Sequence, residues 1–530
     1  MLLYVLCGCK KALLIEPSKS QKFTKEENNH LICSYMPYVV LKNFVILDRN
    51  QKLKAIMSEK SEQFKAQVQQ IIDWIANYFD NIEDYPVKSQ VNPGEVKQQL
   101  PDKAPNSPED LEQIMEDLDK VILPGITHWQ SPKFFAYFPA NSSLPSLFAE
   151  MLTAAMGVQG MKWETSPAAA ELEEQVMNWL KKETGLPENF HGVIQDSAST
   201  ATLVSLLTAR EKYTDFRINE QGFYDQPAFR IYCSEETHSS IERAVKVAGF
   251  GRENLVKIPV DGENRMDVVE LEGAIQKDIQ SGYKPLAVIA TLGTTGTTSI
   301  DPLGGIADIK ERYDLWLHVD AAYAGNVLLL DDYQWMINGI DKVDTFVFNP
   351  HKWLFTNFDC SAYFVKDKEA LTNTFQIVPE YLKTKADDQV NNYSDWTIPL
   401  GRRFRALKLW FVLRYYGMDH IRDKLQYHIE LAEEFKHWVE THPDFELLAP
   451  VTMNLVCFRY HPSGVENEEK LNHLNEQLLH KVNQTGKMYF THTKVHGKYT
   501  LRMVIGQTDV DQRHVEEAWE TIGDVVQKME

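Results

Sequence analysis

Leu315-Trp-Leu-His-Val-Asp320 and Thr345-Phe-Val-Phe-Asn-Pro-His-Lys352 are the stretches on which the reading of this chain turns. Each opens with a short apolar run, β-branched in part, and ends on a group that carries chemistry. Ala287-Val-Ile-Ala-Thr-Leu292 is a third run of the same kind. Helical segments such as Asp301 to Tyr313 lie between them, and runs that are apolar throughout belong to strands buried on both faces. The spacing therefore predicts an α/β fold, a mainly parallel sheet with helices on both sides.

Working outward, the pattern changes near Leu407. A long helix from Leu407 to Tyr416 opens a smaller α+β part that closes with a helix from Val515 to Lys528. On the other side, Phe64, Val68, Ile71, Ile72, Ile75 and Phe79 recur at spacings of three and four, one helical stripe. Ser107-Pro-Glu-Asp110 is expected to start another helix, with a cap, a first-position proline and acids in the first turn. These amphipathic helices have little chain around them and are expected to pack on another domain or another subunit. The expected organisation is a helical segment at 57–143, a large α/β domain at 144–407 and a small α+β domain at 408–530.

Residues 1–56 read as a disordered extension outside that organisation. Their apolar run from Met1 is about seven residues, at the bottom of the range for a signal-peptide core, and Lys10 and Lys11 lie on its wrong side. Met57-Ser-Glu-Lys60 opens the amphipathic helix and is the expected start of translation.

Among 530 residues 43% are apolar, enough to require a large buried core. Acidic residues outnumber basic ones 75 to 55, and a net charge of −20 repels nucleic-acid backbones and anionic membrane surfaces. No apolar stretch reaches the ~20 residues of a spanning helix. The six cysteines form neither a CxxC pair nor a regular framework, so a reducing, cytoplasmic setting and no metal site are expected.

Open α/β sheets bind ligands at the carboxyl ends of their strands. Three features fall there in order: Ser197-Ala-Ser199, His318-Val-Asp320-Ala-Ala322-Tyr-Ala-Gly325 and Asn349-Pro-His351-Lys352-Trp353. An acid on one strand end and a lysine just after the next suit pyridoxal phosphate. The lysine can form a Schiff base with the aldehyde, and the carboxylate can keep a proton on the pyridine nitrogen so that the ring accepts electrons. Backbone amides and small hydroxyl residues at the helix start after Ser197 suit a dianionic phosphate. His238, in Thr237-His-Ser-Ser240, offers a flat ring to stack on the pyridine face. Singly, such residues are helix caps and solvated charges; together they make a site.

With these residues the chain resembles the pyridoxal-phosphate group II decarboxylases, specifically the aromatic L-amino-acid decarboxylases. The resemblance runs from about Met57 to Glu530. It includes Phe134-Phe-Ala-Tyr-Phe-Pro139, Thr165-Ser-Pro-Ala-Ala-Ala-Glu-Leu-Glu173, Phe358-Asp-Cys-Ser-Ala362, Tyr381-Leu-Lys383 and Ile398-Pro-Leu-Gly-Arg-Arg-Phe-Arg405. It implies a fold-type I, aspartate-aminotransferase-like architecture, a homodimer with interlocked N-terminal helices, and conversion of an aromatic L-amino acid to its amine and CO2. Position by position, it implies that Lys352 forms the Schiff base, Asp320 meets the pyridinium nitrogen, His238 stacks on one ring face and Ala322 lies under the other. Ala198, Ser199, Thr295 and Asn349 match cofactor-contacting positions. Trp129, Tyr137, Phe138 and Pro139 match the aromatic wall of the substrate pocket, and His351 a polar contact before the lysine. Tyr381 matches the proton donor; its polar segment, Val378 to Asp395, is expected to be a mobile lid. Gly401 matches a position where plant relatives selective for indoles keep glycine, which favours tryptophan, with phenylalanine, tyrosine or DOPA also accepted.

Two departures stand out. Ala140-Asn141 stands where animal members carry a hydroxyl residue that helps hold the substrate carboxylate, so either Asn141 takes its place or the carboxylate is held less directly. Asp196 precedes Ser197, and a carboxylate beside a phosphate is unfavourable unless it points away. Two competing readings share the cofactor. An oxidative aldehyde synthase, in its plant versions, has phenylalanine for the lid tyrosine, and Tyr381 argues against it. An aminotransferase or a silent scaffold is opposed by Asn349-Pro-His-Lys-Trp353 and the aromatic wall.

Overall fold

A computed structural model describes Lys54, residues 57–377 and residues 389–529. The chain divides into two units at Asp80/Asn81. In the first, residues 57–80 are helical, as the apolar stripe predicts, with an exposed Glu62–Lys65 pair and a Gln69–Asp73 hydrogen bond on its polar side.

The second unit is built on a seven-stranded sheet: β1 His191–Gln195, β2 Phe229–Ser234, β3 Leu255–Ile258, β4 Lys284–Thr291, β5 Trp316–Asp320, β6 Thr345–Phe348 and β7 Ser361–Val365. The order is β1-β7-β6-β5-β4-β2-β3. The five strands from β6 to β3 run parallel, while β7 is antiparallel to both its neighbours. Every residue of β5, β6 and β7 is buried, which is why these runs are apolar without alternation. A second sheet, all antiparallel, joins β8 Phe445–Leu447, β9 Leu455–Tyr460, β10 Thr491–Val495 and β11 Lys498–Val504 in the order β10-β11-β9-β8. His496 and Gly497, both at positive φ, turn the chain from β10 to β11.

Several helix starts and ends differ from the expected ones, and the differences have causes. The helix expected from Asp301 starts at Leu303. Asp301 is instead a buried tie that accepts the N–H groups of Thr291 and Met266, both at 2.8 Å, and burial pushes its carboxyl up to about 6. The helix expected at Ser107 begins at Leu111, because Asp110 is still extended, at ψ 149°. Residues 378–388 of the expected lid lie outside the described residues; near its expected end Asn392, Tyr393 and Ser394 are buried, with Tyr393 packed edge-on to Trp396 and under the Arg402 guanidinium.

Arg402 forms a two-pronged ion pair with Glu173, at 2.7 and 3.1 Å, and also donates to the Ile194 carbonyl at 2.8 Å. Glu173 in turn accepts the Ile194 N–H at 2.9 Å, so two buried charges fasten β1 to the helix Pro167–Glu183. Removing one partner strands the other in an apolar interior. Glu173→Ala should therefore lower stability by about 3–5 kcal/mol, read from the shift of a urea unfolding transition.

Candidate active site

The parallel strands β5 and β6 are neighbours, with Asp320 in register with Val347, so their carboxyl ends open on one edge of the sheet. Asp320 is the last residue of β5, and one of its oxygens accepts the Ala322 N–H at 3.0 Å. Asn349 follows β6. Its N–H donates to Ala322 O at 3.0 Å, and its carboxamide oxygen accepts from Ser361 on β7 at 2.7 Å. The helical turn Pro350–Trp353 then carries Lys352.

Lys352 Nζ makes no hydrogen bond or ion pair with the described residues; it stands 5.3 Å from the centre of the Phe138 ring. Burial lowers its pKa, and the Asp320 charge opposes that shift. A desolvated amine with a lowered pKa is a nucleophile, and the nearby carboxylate has lone pairs to spare. His238 faces the same pair. Burial and the Lys352 charge lower its pKa while Asp320 raises it, and its Nδ1 accepts the Ser240 N–H at 3.2 Å, which leaves a neutral ring.

The helix Ala198–Lys212 begins at this edge. Ser197 is its cap, accepting the Thr200 N–H at 3.2 Å, so the Ala198 and Ser199 amides are left without partners among the described residues. The carboxylate of Asp196 accepts from Ser197 Oγ at 3.3 Å and lies within electrostatic reach of Arg405, turned to a cation. The Thr295 carbonyl accepts from Arg502 at 2.6 Å.

Arg502 is a residue the sequence reading missed. It is buried, and it donates to the carbonyls of Tyr137, Thr295 and Gly296 and to Thr491 Oγ. No carboxylate among the described residues pairs with it, and burial lowers its pKa. Its guanidinium lies 5.5 Å from the Phe138 ring, on which Lys352 also borders. The signal was available: an arginine inside an otherwise buried strand, Tyr499-Thr-Leu-Arg502-Met-Val504, needs an anionic partner.

The expected aromatic wall divides. Phe138 is buried beside Lys352 and stacks on Tyr323 at 3.9 Å, and Pro139 packs by Gly506. Trp129 and Tyr137 are partly exposed and stack on each other at 5.7 Å, with Tyr137 hydrogen-bonded to Tyr489. His351 is fixed by the Cys360 N–H on its Nδ1, at 2.9 Å, and burial pushes its pKa down to about 3, so it offers a neutral Nε2–H. Gly401 meets none of these residues; it packs against Gln159, whose oxygen accepts the Arg402 N–H at 2.6 Å. Asn141 does not serve a substrate carboxylate: it is fully buried, and every bond its carboxamide makes is internal. Tyr381 lies outside the described residues. No cluster of metal-ligating side chains occurs among them either.

A free, half-buried amine, a carboxylate near it, a flat neutral imidazole and a helix start with free amides fit an aldehyde-bearing, cationic heteroaromatic phosphate. Residues 93–461 match the pyridoxal-dependent decarboxylase conserved domain. The chain belongs to that family. It is 43% identical over 479 residues to phenylacetaldehyde synthase of Arabidopsis thaliana, covering 88% of this chain and 97% of that one. It is 41% identical to tyrosine decarboxylase 2 of Narcissus pseudonarcissus, covering 88% and 94%. The structure of Oryza sativa TDC with PLP and tryptamine superposes with a TM-score of 0.86 at 34% identity, covering 88% of this chain and 98% of that one. This decarboxylase-family chain is thus a fold-type I, pyridoxal-phosphate-dependent enzyme of aromatic amino acids, acting by decarboxylation or by aldehyde synthesis.

In the apoprotein, the charge of Asp320 is what holds the Lys352 pKa up against burial. Asp320→Asn should therefore shift the pH dependence of reductive methylation at Lys352, mapped by peptide mass spectrometry, to lower pH.

Proposed function

We propose that the enzyme releases the amine rather than the aldehyde, and that tryptophan is its preferred substrate. The observation that carries the catalytic reading is the free, partly desolvated Lys352 amine set near Asp320 with no competing partner among the described residues. Bound pyridoxal phosphate supplies a carbonyl carbon for the substrate amine and an aromatic system that takes up the electron pair left when CO2 departs. Lys352 is the amine that would hold it, Asp320 the carboxylate for its ring N–H, His238 the flat ring beside it, and the Ala198 and Ser199 amides the donors for its phosphate. Arg502, a buried cation without a carboxylate, is suited to orient the substrate carboxylate, and Phe138 and Tyr323 exclude water on that side. Tyr381 would return the proton to the substrate carbon.

Overall likeness does not separate the two outcomes, since the relatives include both a decarboxylase and an aldehyde synthase. The choice rests on Tyr381, a phenol in the segment expected from the sequence to form a lid. Tryptophan rests on Gly401: a side chain there would begin 3.3 Å from Gln159 Nε2, and glycine leaves that space open. The Oryza sativa TDC, with tryptamine bound, supports the same preference.

We also propose a homodimer. Leu144, Phe148, Met151, Leu152 and Met156 are exposed along one side of the helix Leu144–Met156, and Ile398 and Leu400 beside Gly401 are exposed too. Such a stripe marks a contact surface. It would let Gly401 of one protomer reach the pocket of the other, which explains its distance from Lys352. A cytoplasmic location is supported by Cys233, Cys360 and Cys457, all buried and free.

Purified enzyme given tryptophan, tyrosine, phenylalanine and DOPA, with amine, aldehyde and peroxide quantified, tests the reading. Tryptamine should dominate, and Tyr381→Phe should lose most amine and gain aldehyde, ammonia and peroxide under air. Tyrosine turnover far above that of tryptophan overturns the preference; amine output unchanged in Tyr381→Phe overturns the proton donor. Phe148→Asp with Leu152→Asp should give monomers in sedimentation analysis.

A further inference from the structure

The helical turn Pro350–Trp353 that carries Lys352 is four residues long. The last carbonyls of any helix lack partners inside it. Leu354 N–H closes back on Pro350 O at 3.0 Å, and the next two carbonyls, those of His351 and Lys352, are both met by one distant residue. Asn141 donates its backbone N–H to His351 O at 3.0 Å and its side-chain Nδ2 to Lys352 O at 2.9 Å.

The other half of that carboxamide grips the tail of β11. Nδ2 also donates to Gly506 O at 2.8 Å, and Oδ1 accepts from Thr508 N–H at 3.1 Å and Thr508 Oγ at 3.2 Å. The two donors and the two acceptor sites of the amide are thereby filled. Gly506 gives a firm anchor, for a Cβ there would stand 2.9 Å from both Asn454 Nδ2 and Tyr323 Oη, which are themselves hydrogen-bonded at 2.6 Å.

We infer that Asn141 is a positioning residue for Lys352: by capping the lysine-bearing turn from the C-terminal sheet, it fixes where the lysine side chain leaves the backbone and so where its amine stands relative to Asp320. The inference rests on Lys352 being the cofactor-holding amine. Lys352→Ala tests that separately, since a variant that still binds the cofactor covalently would remove the reading itself.

Three variants test the positioning role. Asn141→Ala removes all the side-chain bonds. Asn141→Asp keeps the volume and the Thr508 contacts but sets a carboxylate oxygen against two carbonyls. Thr508→Val loosens the grip without touching Asn141. The groups around the amine, Asp320, His238 and Arg502, are the same in all three. In the apoprotein, the pH midpoint for reductive methylation of Lys352 should move up in the Asn141 variants, because a loosened turn admits water to the amine. In the loaded enzyme kcat should fall about 10- to 100-fold while KM changes by less than about twofold. Thr508→Val should move both readouts the same way by less. Lower thermal stability with an unchanged methylation midpoint and kcat would show a merely structural role and overturn the inference. So would a raised KM with unchanged kcat, the mark of direct contact with the substrate carboxylate. If the Asn141 variants do not fold, an unchanged midpoint in Thr508→Val is enough to reject it.

Discussion

A lysine amine and an aspartate carboxylate have to be kept close together in a place that water does not fill, and most of the architecture serves that constraint. Neighbouring parallel strands end on the same edge, so β5 can deliver Asp320 and β6 can deliver the turn with Lys352 without any long excursion. An antiparallel pair would have put the two carboxyl ends on opposite edges. The mixed end of the sheet, where β7 runs against β6, then adds the Ser361 hydroxyl that fixes Asn349 at the start of the lysine turn.

The low-dielectric side of that constraint is aromatic. Phe138 stacks on Tyr323, Tyr323 stacks on Trp353 at 5.0 Å, and Trp353 donates to a buried His428 at 3.0 Å. These rings come from the segment before the helix Leu144–Met156, the loop after β5, the lysine turn and the long helix Met418–Thr441. Their packing gives Lys352 its lowered pKa. Arg502 enters from β11 and, like Lys352, borders the Phe138 ring, so the pocket holds a permanent cation near an amine whose pKa burial lowers.

Membership of the family leaves the reaction outcome to a few atoms. Relatives that share some two-fifths of their residues with this chain include both amine and aldehyde producers. The scaffold that binds and orients is common to both; in the reading proposed above, the outcome rests on whether a proton donor reaches the reacting carbon.

Much was legible in the sequence by itself. The apolar runs ending in Asp320 and Asn349 determined the parallel sheet, because residues buried on both faces cannot alternate. Aspartate at the end of one strand and lysine just after the next determined the cofactor class, because few other chemistries need that pair. The stripe from Phe64 to Phe79 determined its helix. Tertiary structure alone decided the partners of groups far apart in the chain. The sequence left open whether Asn141 holds a substrate carboxylate; only the fold, bringing Lys352 and Thr508 to it, engages the whole amide internally. Asp301 read as the start of a helix and is a buried tie between β4 and the segment at Met266. Arg502 was one charge among many until folding buried it against three carbonyls beside Phe138. Periodicity reports which face of an element is buried, but a hydrogen bond across hundreds of residues leaves no local pattern, and those bonds set the geometry of this site.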